Sequence, residues 1–154
     1  MTDGASAPDG GATAATQAFY GRWASLYDRV ATLPPVRSWR ERVADGLALS
    51  PGDTVVEMGC GTGANLPHLR ERVGESGTVV GLDITAGMLA TARRRVARAG
   101  WANVHCVQAD ATGPPLSLSA DAVVATFVVG MLPDPAAAVR EWLDLLAPGG
   151  WLAL

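Results

Sequence analysis

Lysine is absent from this sequence: all 12 basic residues are arginine. Acidic residues number 15, the formal net charge is −3 and the pI is about 5.2. A chain without excess positive charge lacks bulk attraction for phosphate backbones, so no nucleic-acid partner is expected. Cysteine is scarce too. Cys60 and Cys106 are too few to staple a small fold or to complete a zinc site, no metal is expected, and a reducing cytoplasm suits them. The longest apolar stretch, Ala122 to Leu132, has 11 residues, short of the roughly 20 that span a bilayer. The N-terminus lacks the basic start and apolar run of a signal peptide. Histidine occurs twice, as His68 and His105. Both are read as structural, His68 facing solvent and His105 inside a strand.

What remains is a chain of 154 residues that are 49 % hydrophobic, enough for one packed core. Residues 1–16, rich in Gly, Ala and Thr, are expected to form a disordered tail. Residues 17–50 read as a helical lid: a short helix bearing Phe19, Tyr20, Trp23 and Tyr27, then a second from Pro34-Pro35 to about Leu49. Residues 51–154 read as the core. Short β-branched runs at Thr54–Met58, Thr78–Leu82, Val104–Gln108 and Asp121–Phe127 alternate with helical segments. Asn65 and Thr85 are suited to cap the first two of those helices, and Asp134 with Pro135 to open the last. Met88, Leu89, Ala92, Val96 and Ala99 share one helical arc, with Arg93, Arg94 and Arg98 outside it and Arg95 at its flank. The last helix carries Ala136, Val139, Trp142, Leu143 and Leu146 on one face. Pro148-Gly149-Gly150 breaks it before a fifth strand from Trp151. Strands alternating with helices predict an α/β fold, a doubly wound parallel sheet.

Ligands of such sheets bind at the carboxyl ends of the strands, and the informative residues lie there. Glu57-Met58-Gly59-Cys60-Gly61-Thr62-Gly63 follows the first strand, and its glycines let backbone approach a ligand. Asp83 ends the second strand, 24 residues after Gly59, where a carboxylate can accept from both ribose hydroxyls. Asp110, after the third strand, is placed to accept from an adenine amino group. Together they point to an adenosine-containing ligand. The loop alone leaves its identity open, because Gly59, Gly61 and Ala64 also satisfy the dinucleotide pattern G-x-G-x-x-A.

The run from Val55 to Gly63 resembles motif I of the class I S-adenosylmethionine-dependent methyltransferases. Asp83-Ile84-Thr85-Ala86-Gly87-Met88-Leu89 resembles the D-x-S-x-x-M-L segment of the subgroup that includes ubiquinone and menaquinone biosynthesis C-methyltransferases. Gln108-Ala109-Asp110-Ala111 is similar to the adenine-contacting motif, and Leu146-Ala147-Pro148-Gly149-Gly150 to the L-x-P-G-G turn before the fifth strand. Tyr20, Ala24, Tyr27 and Asp28 resemble the lid-helix pattern F-x-x-x-A-x-x-Y-D, with Tyr20 in place of its Phe. The resemblance implies a Rossmann-like fold with S-adenosyl-L-methionine as cofactor. It implies that Gly59 and Gly61, with the backbone from Glu57 to Cys60, hold the methionine end and that Asp83 holds the ribose. Ile84 and Met88 would pack against the adenine, Asp110 and Ala111 read its polar edge, and Phe127 lie beside the methionine portion. Tyr20 and Tyr27 would close over the site.

Two departures bear on mechanism. The segment Ala125 to Leu132 is apolar where many relatives are polar, and it offers no catalytic base. The family fold also has two strands and a helix beyond the fifth strand. A partner chain or a second copy is therefore expected at that edge, if not further chain. A small-molecule methyl acceptor is expected. Two other classes stay open: an NAD(P)-binding oxidoreductase domain, and a non-catalytic S-adenosylmethionine-binding module or partner subunit.

Overall fold

A computed structural model describes residues 34–154. The expected tail and first lid helix, with Tyr20 and Tyr27, lie outside these residues. The first described helix, α1, spans Pro34–Gly46, ending earlier than the expected Leu49. Five strands follow: β1 (Thr54–Met58), β2 (Thr78–Asp83), β3 (Val104–Gln108), β4 (Ala120–Ala125) and β5 (Leu146–Ala153). Helix α2 (Leu66–Val73) joins β1 to β2, α3 (Ala86–Ala99) joins β2 to β3, and α4 (Pro135–Leu143) joins β4 to β5.

All pairs are parallel, in the order β3-β2-β1-β4-β5. The order reverses direction at β1, between its neighbours β2 and β4, which makes the carboxyl end of β1 the switch point where ligands bind. Alternation along β1 sorts its side chains between two cores. Val55 packs with Ala44, Leu66, Leu69, Val73 and Ala92 under α1, α2 and α3. Val56 and Met58 pack with Leu82, Val123, Ala138 and Trp142 under α4. By the same period-two rule Glu57 falls on the Val55 face, among helices and away from water. It is 1 % exposed.

Several expectations need correction. Strand β4 ends at Ala125 instead of Phe127, because Phe127 takes φ +63, a left-handed conformation that no ladder continues. Strand β5 starts at Leu146, not Trp151, so Pro148-Gly149-Gly150 lies inside it as a bulge: Ala120 pairs Leu146 while Ala122 pairs Trp151. A Cβ on Gly150 would sit 3.0 Å from the Ala147 and Asp121 carbonyl oxygens, so the bulge favours glycine. Leu143 is exposed and Leu146 belongs to the strand, leaving Ala138 and Trp142 as the buried face of α4. Ala99 is exposed at the end of α3, and Gly100 caps that helix in the left-handed conformation. His68 is buried, with Nδ1 3.9 Å from Glu41 Oε1, and does not face solvent. Among the described residues no helix is long and apolar enough to cross a membrane.

Candidate functional site

A cleft opens over the carboxyl ends of β1, β2, β3 and β4. Its wall includes Gly59 and Gly61 after β1, Asp83 to Thr85 after β2, Asp110 and Ala111 after β3, and Thr126 to Val128 after β4. Met88 from α3, with Met131 and Leu132 from the short 3-10 turn region, completes it.

The glycine turn is demanded by contact. Gly59 has φ +67, and a Cβ there would lie 2.7 Å from Val128. Gly61 has φ +55, but a Cβ there would meet nothing within 4 Å. The first glycine lets the turn after β1 pass against Val128, beyond the end of β4; the second leaves bare backbone on the open cleft. Asp83 braces the turn. Its Oδ2 accepts the Gly61 N–H at 2.8 Å and its Oδ1 accepts the Thr85 N–H at 2.8 Å. Each oxygen keeps a lone pair, so the carboxylate stays able to accept two hydroxyls. Thr85 stands at the N-cap position of α3 without a side-chain cap bond; Asp83 provides the nearby acceptor instead.

Asp110 is exposed, and its Oδ1 accepts from the Thr112 N–H and hydroxyl, each at 2.8 Å. Ala111 is held from behind: Trp142 Nε1, buried, donates to its carbonyl at 2.7 Å. Phe127 is 61 % exposed at the cleft, with the Arg40 guanidinium 5.6 Å from its ring centroid.

Of the site residues expected from sequence, Gly59, Gly61, Asp83, Ile84, Met88, Asp110, Ala111 and Phe127 converge on this cleft. Glu57 and Cys60 do not line it. Glu57 lies behind the turn, and burial pushes its carboxyl from 4.5 up to about 8, against the lowering effect of Asn65 and Arg40. Cys60 is buried against β2, where a Cβ on Gly81 would come within 3.0 Å of its sulfur. Burial, with Glu57 and Asp83 nearby, raises its thiol well above the ordinary range, the opposite of an activated nucleophile. On α3, Arg93 and Arg94 are exposed, bonded to the Cys106 carbonyl and the Thr91 hydroxyl.

Sequence reasoning missed a buried group. Asn65 begins α2 but caps nothing with its side chain. It bonds instead to Glu57, Thr126 and Arg40, the last reaching in from α1. The signal available was an arginine in an otherwise apolar helical register and a threonine at the end of an apolar run. Neither is distinctive without a fold.

Residues 55–150 match the family model described as a methyltransferase domain. The chain is 35 % identical over 141 residues to aklanonic acid methyltransferase of Streptomyces sp. (strain C5), covering 90 % of this chain and 62 % of that protein. It is 34 % identical over 142 residues to 2-phytyl-1,4-naphtoquinone methyltransferase of Thermosynechococcus vestitus, with the same two coverages. A SAM-dependent methyltransferase from Aquifex aeolicus superposes with a TM-score of 0.75 at 26 % identity, over 84 % of this chain and 70 % of that one. The fold is that of the class I S-adenosylmethionine-dependent methyltransferases. The chain belongs to the methyltransferase-domain family. It spans 62 % of the length of both curated relatives named above.

Proposed function

We propose that this chain catalyses transfer of a methyl group from S-adenosyl-L-methionine to a small-molecule acceptor. The observation that carries the reading is the Asp83 carboxylate, fixed by two backbone N–H groups at the cleft beside the bare Gly61 backbone. A rigid pair of acceptor oxygens next to a turn without side chains fits a ribose whose substituent runs over the glycines. When bound, the cofactor supplies a methyl already activated by its sulfonium.

The chain's own residues then have to bind, align and exclude water. Asp83 accepts from the ribose hydroxyls. Ile84 and Met88 cover the adenine, and Asp110 with Ala111 reads its polar edge. Gly59 and Gly61 take the methionine end, with Phe127 beside it. No side chain here is assigned as a base, and none is needed unless the acceptor must lose a proton. The two free thiols suit a cytoplasmic setting. The outer edge of β5, where Trp151 is half exposed, suits a covering partner chain or second copy.

Calorimetric titration with S-adenosylhomocysteine and, separately, NAD tests the reading. Binding of the first alone is expected; binding of NAD alone overturns it.

A further inference from the structure

Cys60 and Cys106 are the chain's two cysteines, and neither lines the cleft. The fold brings them to one face of the sheet. The Cys60 side chain fills the space that a side chain on Gly81 would take: a Cβ there would lie 3.0 Å from Cys60 Sγ and 3.1 Å from Cys60 Cβ. Gly81 of β2 is the register partner of Cys106 of β3. Partners in neighbouring strands sit about 4.8 Å apart and turn their side chains to the same face. The core agrees. A Cβ on Gly81 would also meet Leu66, and Cys106 packs against the cluster that holds Leu66. The Cys60 sulfur therefore stands roughly one strand spacing from Cys106, with no side chain on Gly81 to part them.

A disulfide needs Cβ atoms about 3.8 Å apart, so the bond closes when Cys60 shifts towards β3. That shift reaches the cleft. Cys60 sits between the two glycines of the turn. Its N–H donates to the Leu82 carbonyl at 2.9 Å, and its thiol lies 3.9 Å from the Gly61 carbonyl oxygen. The next N–H, that of Gly61, is the one Asp83 Oδ2 accepts. Moving Cys60 draws Gly61 off the carboxylate.

Access differs between the two thiols. Cys60 is 5 % exposed and Cys106 is half-buried. Burial raises both, so neither reacts fast. Arg93, which donates to the Cys106 carbonyl at 3.1 Å, opposes the rise at Cys106. Oxidation therefore starts there.

We propose that Cys60 and Cys106 form a reversible disulfide that weakens cofactor binding, with hydrogen peroxide as the oxidant. The proposal rests on the cofactor reading above. The Cys106 sulfur attacks one peroxide oxygen, the O–O bond breaks, and a sulfenic acid and water form. The Cys60 sulfur then attacks the sulfenic sulfur. The S–S bond forms, the S–O bond breaks, and the hydroxyl leaves as water with the Cys60 proton. Two thiols lose two electrons and two protons, and the peroxide becomes two waters. Disulfides of cytosolic proteins are usually transient and redox-sensing in this way.

The test treats the full chain with hydrogen peroxide, removes the excess with catalase, and divides it between peptide mapping and titration with S-adenosylhomocysteine. The map is expected to link Cys60 to Cys106 within one chain, and affinity to weaken roughly tenfold or more. Dithiothreitol restores both, whereas it leaves sulfoxides of Met88 or Met131 in place. Cys106→Ala binds like the reduced wild type and keeps that affinity after peroxide. A map without the link, a link between two chains, a cross-linked chain that binds as before, or equal weakening of Cys106→Ala overturns the proposal and leaves the cofactor reading standing. Failure of the reduced wild type to bind S-adenosylhomocysteine overturns the cofactor reading and the claimed control with it, while the map still reports the bond.

Discussion

Asp83 Oδ2 accepts the Gly61 N–H at 2.8 Å, so the last residue of β2 fixes the turn that follows β1. One carboxylate thereby shapes the loop and faces the cleft. Asp83→Ala is expected to weaken S-adenosylhomocysteine by roughly tenfold or more, measured by calorimetry. Asp83→Asn is no milder, because its amide nitrogen would confront a backbone N–H that the second oxygen now accepts.

The two glycines of the turn separate folding from binding. Gly59→Ala forces a Cβ to 2.7 Å from Val128 and should lower stability by about 2 kcal/mol or more, combining overpacking with left-handed strain. Gly61→Ala meets no neighbour and should cost about 1 kcal/mol, yet its methyl stands in the cleft and should abolish most ligand binding. Urea melts and titrations of the two variants should therefore rank in opposite orders. The same order in both assays would refute this division.

Glu57 makes stability depend on pH. Its carboxyl keeps its proton in the folded chain up to about 8 and releases it near the ordinary 4.5 when unfolded. Between those values the unfolded chain binds fewer protons, so stability is full below about 4.5, falls as pH rises, and levels off above about 8. Glu57→Gln should flatten this slope and exceed the wild type at pH 8, by an amount on the order of a few kcal/mol. Denaturant midpoints from pH 5 to 9 check it; parallel curves for the two proteins count against it.

Trp142 supports the cleft wall at Ala111, with which it shares one core on the α4 side of the sheet. Trp142→Phe leaves the Ala111 carbonyl without the 2.7 Å indole donor and should cost about 1–3 kcal/mol. A smaller loss of affinity should accompany it, although Trp142 does not line the cleft. A variant as stable as the wild type would show that water replaces the indole at no cost.

The sheet and the ends of its first three strands are legible in the sequence because each depends on local rules. β-branched runs, the glycine turn and Asp83 announce themselves within a few residues. Asp134 likewise caps α4 as its position suggests, its Oδ1 accepting from the Ala137 N–H at 2.9 Å. Asn65 has the same chemistry in the same kind of position, yet Glu57, Arg40 and Thr126 compete for its amide and win. Thr126 resembles one more residue of an apolar strand because nothing local marks the reversal at Phe127. His68 misleads for a related reason: its burial comes from α1 packing on α2, a contact across 27 residues of sequence to Glu41. Partners distant in the chain, not spacing, decide each of these.

The strand order β3-β2-β1-β4 also acts as a ruler. Three steps between neighbouring strands, each about 4.8 Å, put roughly 14 Å between the axes of β3 and β4. A molecule reading both ends at once must be rigid at one end and stretched at the other. Length therefore joins shape as a criterion of selection. Under the proposed cofactor reading, a nucleoside with a clipped tail is expected to stop over β1, and a dinucleotide to run past the far mark into the apolar lip formed by Phe127 and Met131.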